Sequence, residues 1–381
     1  MLTAKHRPTT FWRLLREEFR SIIGDDGVLL VLLFAPFIYS TLYALGYGNE
    51  VLREIPIAVI DHDHTTSSRR LCLQLDATPE MAVKYGACDI EQARQLLYDR
   101  KIEGAIFIPD NYEELLLRGE AANISIYCDA SYFLPYRELL KGATATLSTL
   151  GTEVAVERLT AAEAIDPLAA AEPIVLRQHN LFNPNLGYGI FIMPAILIVI
   201  LQQTALVGLG IAGGTRRERL RNTTQQGSTL SRLIARLVAT FATYAFTALC
   251  LFTLHYVIFG YPTNGSVVAC VTLLTLYLLA SILLGISLAA LFSHRESALA
   301  WLLWSSVPIL LVSGVSLPPQ ALPHWLYTLG KALPSSSAVE GYIRLQTMGA
   351  SLGEITPELS LLGLQTLLFG ITSYIAVRCR G

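Results

Sequence analysis

The sequence is poor in charged residues. Of its 381 residues, only 15% are Asp, Glu, Lys or Arg, against 52% that are hydrophobic, whereas soluble domains carry about 25% charged residues. A charge at the centre of a bilayer helix costs about 3 kcal/mol, so membrane spans exclude charged residues. This composition argues against a soluble enzyme and favours a chain that crosses a membrane several times.

The sequence also lacks a phosphate-binding loop. Such a loop ends in Gly-Lys-Ser or Gly-Lys-Thr, whose amides and lysine hold the phosphates, but here Gly330 and Lys331 are followed by Ala332. Catalysis is likewise unsupported, since no Ser-His-Asp or Cys-His arrangement has an informative spacing. We therefore predict no enzyme activity and no bound cofactor or metal. If ATP is used, a separate ATPase chain would hold it and its magnesium ion.

Long stretches without charge set the number of membrane spans. A bilayer core needs about 20 consecutive apolar residues in a helix, and five charge-free runs are close to that length or longer. The run between Arg236 and Arg295 has 58 residues and is interrupted by the turn sequence Gly-Tyr-Pro-Thr-Asn-Gly at residues 260–265, so it contains two spans. The six predicted spans are residues 27–48, 187–212, 237–259, 266–292, 297–315 and 358–377.

The remaining charges are divided unevenly along the chain. Residues 50–186 contain 12 Lys or Arg and 21 Asp or Glu, a net charge of −9, and the rest of the chain has 16 and 9, a net charge of +7. Basic residues near spans stay in the cytoplasm; they cluster at both termini and between the second and third spans. We predict a polytopic α-helical membrane protein with six transmembrane helices, cytoplasmic termini and an inserted extracytoplasmic α/β domain at residues 49–186.

The inserted domain alternates short apolar strands with helical segments. The Asp-His-Asp-His sequence at residues 61–64 favours a strand-to-helix turn with capping side chains over a metal site, because successive residues rarely converge on one ion. For Cys72 and Cys88, a disulfide in an oxidising compartment and buried free thiols are the two alternatives. The expected strands are 55–60, 81–85, 104–108 and 123–128, with helices at 66–76, 89–101, 110–119 and from Pro135 to about 165.

An amphipathic segment precedes the first span, within the N-terminal residues 1–26. In residues 9–23, apolar side chains including Phe11 and Phe19 fall on one helical face and the charges fall largely elsewhere. This pattern is typical of a helix that lies in the membrane interface. We predict that Phe11, Trp12 and Phe19 anchor it there; the pattern leaves open whether the helix does more than anchor the chain.

Tyrosines recur on one face of the first span. Tyr39, Tyr43 and Tyr47 are spaced every four residues near its outer end. They predict either the lining of a translocation path or an aromatic belt at the membrane interface.

A proline-rich stretch separates the last two spans. Residues 317–350 mix apolar side chains such as Trp325 and Tyr327 with four prolines, so they cannot form one full span. We predict an outer re-entrant segment of short helices that forms part of an outer gate and packs against the spans. A surface loop is the alternative.

The order of the segments is itself distinctive: an interfacial helix, one span, a large inserted domain, five more spans, and a proline-broken segment before the last. The stretches that carry the resemblance are IPIAVIDHDHTTSSRRL, FNPNLGYGIFIMPAIL, SHRESALAWLLWSSVPILLVSGVSLPPQALPHWL and LPSSSAVEGYIRLQTMGASL. On these stretches the chain resembles the permease subunit of ATP-binding-cassette exporters of the ABC-2 type, in the bacterial subgroup with a large external domain between spans one and two.

The resemblance implies that the loop at residues 213–236 docks on the ATPase. Family members have an Arg-Glu-basic-Glu-x-Gly-Thr-x-Glu run there; Arg217, Glu218 and Arg219 match its start, whereas Leu220 replaces the second acid. The coupling residues expected on this basis are Arg216, Arg217, Glu218, Arg219 and Arg221.

The resemblance also implies partners and a location. A permease in the bacterial inner membrane, with a bundle of spans two to six at residues 187–381, would work with an ATP-binding-cassette ATPase, a second permease chain in a homodimer or heterodimer, and a periplasmic adaptor. Its expected cargo is hydrophobic small molecules, drugs or lipids, and no nucleic acid is expected as a partner. The competing hypothesis is a membrane-anchored receptor or scaffold whose external domain binds a ligand or partner without transport.

Overall fold

The chain divides into two compact units. A computed structural model describes residues 11–46, 52–130, 133–161, 187–220, 227–315 and 322–380. One unit, here called the helical unit, comprises Met1–Glu50 and Asn180–Gly381; the other, the sheet unit, comprises Val51–His179. Each unit has its own hydrophobic core.

Six helices of the helical unit are long and apolar enough to cross a membrane, as the charge-free runs predicted. The first candidate span is interrupted by a π-helical turn, and the fifth is broken at Ser305. The helices are α1 (Phe11–Ile23), α2 (Asp26–Leu29), the π-helical turn Leu30–Phe34, α3 (Ala35–Gly46), α8 (Tyr188–Leu220), α9 (Thr229–Phe259), α10 (Val267–Ala289), α11 (Arg295–Trp304), α12 (Ser306–Val312), α13 (His324–Gly330), α14 (Pro334–Tyr342), the π-helical turn Ile343–Thr347 and α15 (Thr356–Arg380).

Local sequence explains where several of these helices begin and end. Asp25 accepts hydrogen bonds from the backbone N–H of Gly27 at 3.1 Å and so caps the first span. Ser228 caps α9 by accepting from the N–H of Ser231 at 3.1 Å, and both caps satisfy donors that a helix N-terminus leaves unpaired. Gly260 ends α9 in the left-handed conformation, at φ +65°, which glycine adopts without steric cost.

Helix α8 is the centre of the helical unit. Its most apolar stretch is 83% buried, against 17–44% for the other five candidate spans. Glycines let its neighbours approach closely: a Cβ on Gly208 would overlap Leu32, and a Cβ on Gly214 would lie 2.5 Å from the backbone nitrogen of Arg295. Gly210 of the same helix faces Leu302 of α11. The spacing of Gly210 and Gly214 therefore brings α11 against α8.

The sheet unit is a four-stranded sheet with the order β2-β1-β3-β4. β1 is parallel to β2 and β3, and β4 is antiparallel to β3. The central strands β1 and β3 are buried along most of their length and contribute to two separate hydrophobic clusters, as expected where helices cover both faces of a sheet. The elements are β1 (Ile55–Asp61), α4 (Thr66–Asp76), β2 (Met81–Gly86), α5 (Ile90–Tyr98), β3 (Gly104–Ile108), α6 (Tyr112–Arg118), β4 (Ser125–Cys128) and α7 (Phe133–Ala161).

The acidic turn after β1 is a capping turn, which confirms the interpretation of residues 61–64. Asp61 accepts from the N–H groups of Asp63 and His64, both at 3.1 Å, and from the Ser68 hydroxyl at 2.7 Å. Thr65 and Ser68 form a reciprocal capping box at the start of α4. The carboxylate of Asp61 is thus used to fix the turn.

Cys72 and Cys88 are both free thiols, so no disulfide joins them. Burial, and secondarily the nearby charge of Asp61, raises the pKa of the Cys72 thiol. A raised pKa leaves less of the reactive thiolate, and of the two alternatives the structure has the free thiols.

The contact at Gly214 gives a testable prediction. Gly214→Ala should lower the thermal unfolding temperature of the purified chain, because the added methyl group would overlap backbone atoms of Arg295 and overpacking costs about 1–3 kcal/mol. The control is Gly363→Ala in α15, where a Cβ meets no atom within 4 Å and helix propensity rises. Unfolding is measured by tryptophan fluorescence. Equal unfolding temperatures for the two variants would contradict the close packing of α8 on the α10–α11 turn.

Candidate functional site

A cavity of about 370 Å³ lies between the first, second and fifth candidate spans. Two of the tyrosines that the sequence singled out, Tyr39 and Tyr43, lie in its wall. Tyr39 is 48% exposed and lies at the mouth, while Tyr43 packs against the core. Tyr47 lies outside the described residues. The volume is within the range of pockets that hold small organic ligands, about 300–1,000 Å³.

The cavity wall is apolar, with a few polar groups from α3, α8 and α12. None of its lining side chains, among the residues the structure describes, is charged. Gln203 donates from Nε2 to the backbone oxygen of Leu302, and its buried Oε1 atom has no hydrogen-bond partner among the described residues. Thr204 is satisfied, since it donates to Ile200 O at 2.7 Å and accepts from the Tyr244 hydroxyl at 3.0 Å. The wall therefore offers one unused acceptor to a ligand.

Two short helices follow the fifth span, in the segment predicted to be re-entrant. Every residue of α14 except Glu340 is buried, and α14 packs between α8, α10 and α15. Gln202 of α8 accepts from the Ser335 N–H at 2.8 Å inside the bundle, which satisfies a donor at the start of α14. α14 is therefore a buried part of the helical unit.

The charges near these short helices are paired. Lys331 donates to Glu340 at 2.5 Å, and Arg344 donates to Glu358 at the start of α15 at 2.7 Å. Burial alone would lower the pKa of Lys331, but the hydrogen bond and charge of Glu340 outweigh it and raise that pKa above its usual value. Pairing is what allows these charges to lie close to apolar surroundings.

The aromatic residues predicted at the outer gate lie on α13. Trp325 is 65% exposed, and the Lys331 ammonium lies 5.3 Å from the centre of the Tyr327 ring. Pro318 and Pro319 lie outside the described residues. A role of Trp325 and Tyr327 in a gate stays a prediction.

Residues predicted to dock on the ATPase hold neighbouring helices of this chain. Arg217 donates to the backbone oxygens of Ala290, at 2.6 Å, and Phe292. Glu218 accepts from the Arg295 N–H at 3.3 Å and lies 3.6 Å from His294 Nδ1. Both side chains therefore connect the end of α8 to the turn between α10 and α11.

Arg216 has a different partner, on the interfacial helix. It donates to Glu18 of α1, which also lies 3.6 Å from Arg236 of α9. Of the predicted anchors, Phe11 and Phe19 are half-buried, whereas Trp12 is 71% exposed. The side chain of Arg219 and the whole of Arg221 lie outside the described residues, and contacts of the set with an ATPase stay a prediction.

Three residues of this arrangement were not singled out from the sequence: Glu18, Gln202 and Gln203. The two glutamines stand near the middle of a 38-residue charge-free run between Arg177 and Arg216. Polar side chains at that depth are costly unless they bond within the protein, so their position was a usable signal. Glu18 gave no such signal, because its neighbours on α1 are also charged.

These features define a class of protein. The described residues include six candidate spans, three of which border a ligand-sized cavity with uncharged walls. Polar contacts connect the end of α8 to α1 and to the α10–α11 turn. This is the organisation of a polytopic membrane transport protein.

Comparison with known proteins identifies the family. The family described as ABC-2 family transporter protein matches residues 27–375. Two relatives, from Escherichia coli strain K12 and Escherichia coli O157:H7, are each named "Probable multidrug ABC transporter permease YbhR" and are 22% identical over 325 residues, 84% of this chain and 84% of the relative. The chain belongs to the ABC-2 transporter family and is a transport permease subunit. Membership implies an ATPase partner, in agreement with the missing phosphate-binding loop.

The contacts of Arg217 predict an effect on coupling. Arg217→Lys keeps the charge, but a lysine cannot bond to two carbonyl oxygens as the planar guanidinium group does. We therefore expect the amount transported per ATP hydrolysed in the reconstituted complex to fall by roughly threefold or more, with basal hydrolysis retained. The matched control is Arg13→Lys, an exposed residue paired only with Glu17 in α1. If both variants couple as well as the unaltered protein, Arg217 does not transmit motion.

Proposed function

We propose that this permease exports hydrophobic small molecules, drugs or lipids from the cytoplasm or inner membrane, driven by a separate ATPase, and that the cargo passes through the cavity beside α8. The observation that carries the proposal is the cavity of about 370 Å³, which has apolar walls, no charged lining residue and one unused acceptor, Gln203 Oε1. Such walls favour apolar cargo with a single hydrogen-bond donor. The multidrug description of the relatives supports the same class of cargo.

The mouth of the cavity supports a paired arrangement of permease chains. Tyr39, Leu303 and Val307 line the cavity and are 48%, 46% and 62% exposed in the single chain. A second permease chain, identical or related, would cover this opening and complete the path. Without it, the cavity would open to lipid on one side.

Movement would reach the cavity through α8. ATP-dependent closure of the ATPase would displace the loop after α8, and the bonds of Arg217 and Glu218 to the α10–α11 turn would carry that displacement to α11 as a rigid-body shift. Since α11 lines the cavity through Leu299 and Leu303, the shift would change its shape. The receptor or scaffold hypothesis is disfavoured, because family membership makes the chain a transport permease.

Export requires a defined orientation, which we propose from the basic residues: both termini and the loop at 213–236 in the cytoplasm, with the sheet unit outside, where an adaptor would meet it. In a cysteine-free variant within intact cells, an impermeant thiol reagent should label Thr263→Cys and miss Thr224→Cys. Thr263 is a better probe position than the neighbouring Gly265, because a side chain at Gly265 would overlap the backbone of Leu345. Labelling with the opposite pattern would reverse the proposed direction of export.

The unused acceptor gives a prediction about cargo. Gln203→Leu keeps most of the side-chain volume and removes the amide, so export of a planar fluorescent dye with an N–H donor should fall by roughly two- to tenfold, the value of one net hydrogen bond. Export of its N-methylated analogue should change little. The measurement is ATP-dependent dye accumulation in inverted vesicles that contain the permease and its ATPase.

A second glutamine provides the matched control. Gln365 of α15 also donates to a backbone oxygen, that of Lys331 at 2.8 Å, and also has an unpartnered Oε1 among the described residues, but it does not line the cavity. Gln365→Leu should therefore leave the preference between the two dyes unchanged. An equal loss of both dyes in Gln203→Leu would exclude Gln203 as a cargo contact.

A further inference from the structure

Four charged side chains meet where α1, α8 and α9 pack. Glu18 of α1 pairs with Arg216 of α8 and lies 3.6 Å from Arg236 of α9; these three side chains are only 12–17% exposed. Arg232, one turn before Arg236, is close enough to both other arginines for mutual repulsion. We call Glu18, Arg216, Arg232 and Arg236 the arginine cluster.

The charges of the arginine cluster do not balance. Three guanidinium groups face one carboxylate, which leaves the cluster at +2. The Nε and Nη1 atoms of Arg232 are buried and have no hydrogen-bond acceptor in the part of the chain that the structure describes, and the Nε atom of Arg236 has only the Glu18 carboxylate at 3.6 Å, which Arg216 also binds. A guanidinium group stays protonated in proteins, and a buried charge without a partner costs several kcal/mol. The cluster is therefore short of an anion.

A role in setting the orientation of the chain in the membrane does not explain why the arginines of the cluster are buried. A basic residue fixes the orientation of a span by remaining on one side of the membrane, and it does so while exposed. Arg13, Arg16 and Arg20 of α1 are exposed in this way. The buried Arg236 shares one carboxylate, that of Glu18, with Arg216, so a further anion would stabilise the cluster.

The depth of the cluster indicates which anion is available. α9 begins at Thr229, so Arg232 lies about 5 Å and Arg236 about 10 Å along the helix, and the headgroup layer is about 5–7 Å thick on each side of the bilayer. The exposed Trp12 and the amphipathic pattern of α1 are typical of the same layer. If α9 begins at the membrane surface, Arg232 lies within this layer, where phospholipid phosphates are found.

We propose that the arginine cluster binds the phosphate group of an anionic phospholipid from the leaflet that borders α1. Guanidinium groups match phosphate oxygens with two parallel hydrogen bonds, and basic pockets between membrane helices bind such headgroups. The enclosed cavity beside Glu18, Arg216 and Arg236 has only about 20 Å³, enough for one water molecule. A phosphate group does not fit inside this cavity, so it would bind instead to Arg232, whose Nε and Nη1 atoms have no acceptor among the described residues. The bound lipid would join α1 to α8 and α9, whatever the cargo.

The test is lipid binding to the purified full-length chain in detergent, measured by native mass spectrometry with phosphatidylglycerol and phosphatidylcholine. We expect phosphatidylglycerol to bind at least tenfold more tightly. Arg232→Gln should remove about tenfold of that affinity, while Arg20→Gln, which removes one exposed charge from α1, should change it less than twofold. Glu18→Gln removes the only carboxylate of the cluster and should strengthen phosphatidylglycerol binding, so the proposal has a test even if Arg232→Gln fails to fold.

Three results would overturn the proposal. Equal binding of the two lipids to the unaltered chain would show that the cluster does not select an anionic lipid. Loss of the preference in millimolar inorganic phosphate would identify a site for free phosphate. Loss of ATPase association in Arg232→Gln, with phosphatidylglycerol binding unchanged, would assign the cluster to the ATPase instead.

Discussion

The core of a bilayer has no water to bind polar groups, so the backbone N–H and C=O groups of a membrane-spanning bundle need partners within the protein. The start of α14 is the clearest case, because a helix N-terminus has donors without helical partners and this one is buried. The Gln202 oxygen takes the Ser335 N–H, and Gln365 donates to the oxygen of Lys331 just before α14. Two glutamines thus fix where the short helices enter the bundle.

Under the same constraint, α8 makes three separate sets of contacts. Gln202 and Gln203 are consecutive, so they point about 100° apart: one bonds to α14 and the other lines the cavity. Arg217 lies 14 residues further along the chain, about 21 Å away along the axis, and bonds to the α10–α11 turn. A single, largely buried helix therefore contacts α14, lines the cavity and bonds to the α10–α11 turn.

The sequence predicted what depends on local pattern. Charge-free runs gave the six spans, and alternation of apolar strands with helices gave the order of the sheet unit, whose strand at Ile55–Asp61 and capping turn lie where they were expected. Contacts between residues far apart in the chain could not be predicted from the sequence. Arg216 and Glu18 are 198 residues apart, and Ser335 and Gln202 are 133 residues apart. No periodicity encodes such a pairing, because it depends on which helices pack together.

The contacts of Arg217 and Glu218 determine which helices a docked ATPase would act on. Both side chains already hold the turn before α11, and Arg295, the first residue of α11, lies 3.9 Å from Asp25, the cap of the first span. A force on the loop after α8 would therefore act on the first and fifth spans together with the second. These three spans are the ones that border the cavity, so the contacts at the end of α8 and the cavity wall involve the same three helices.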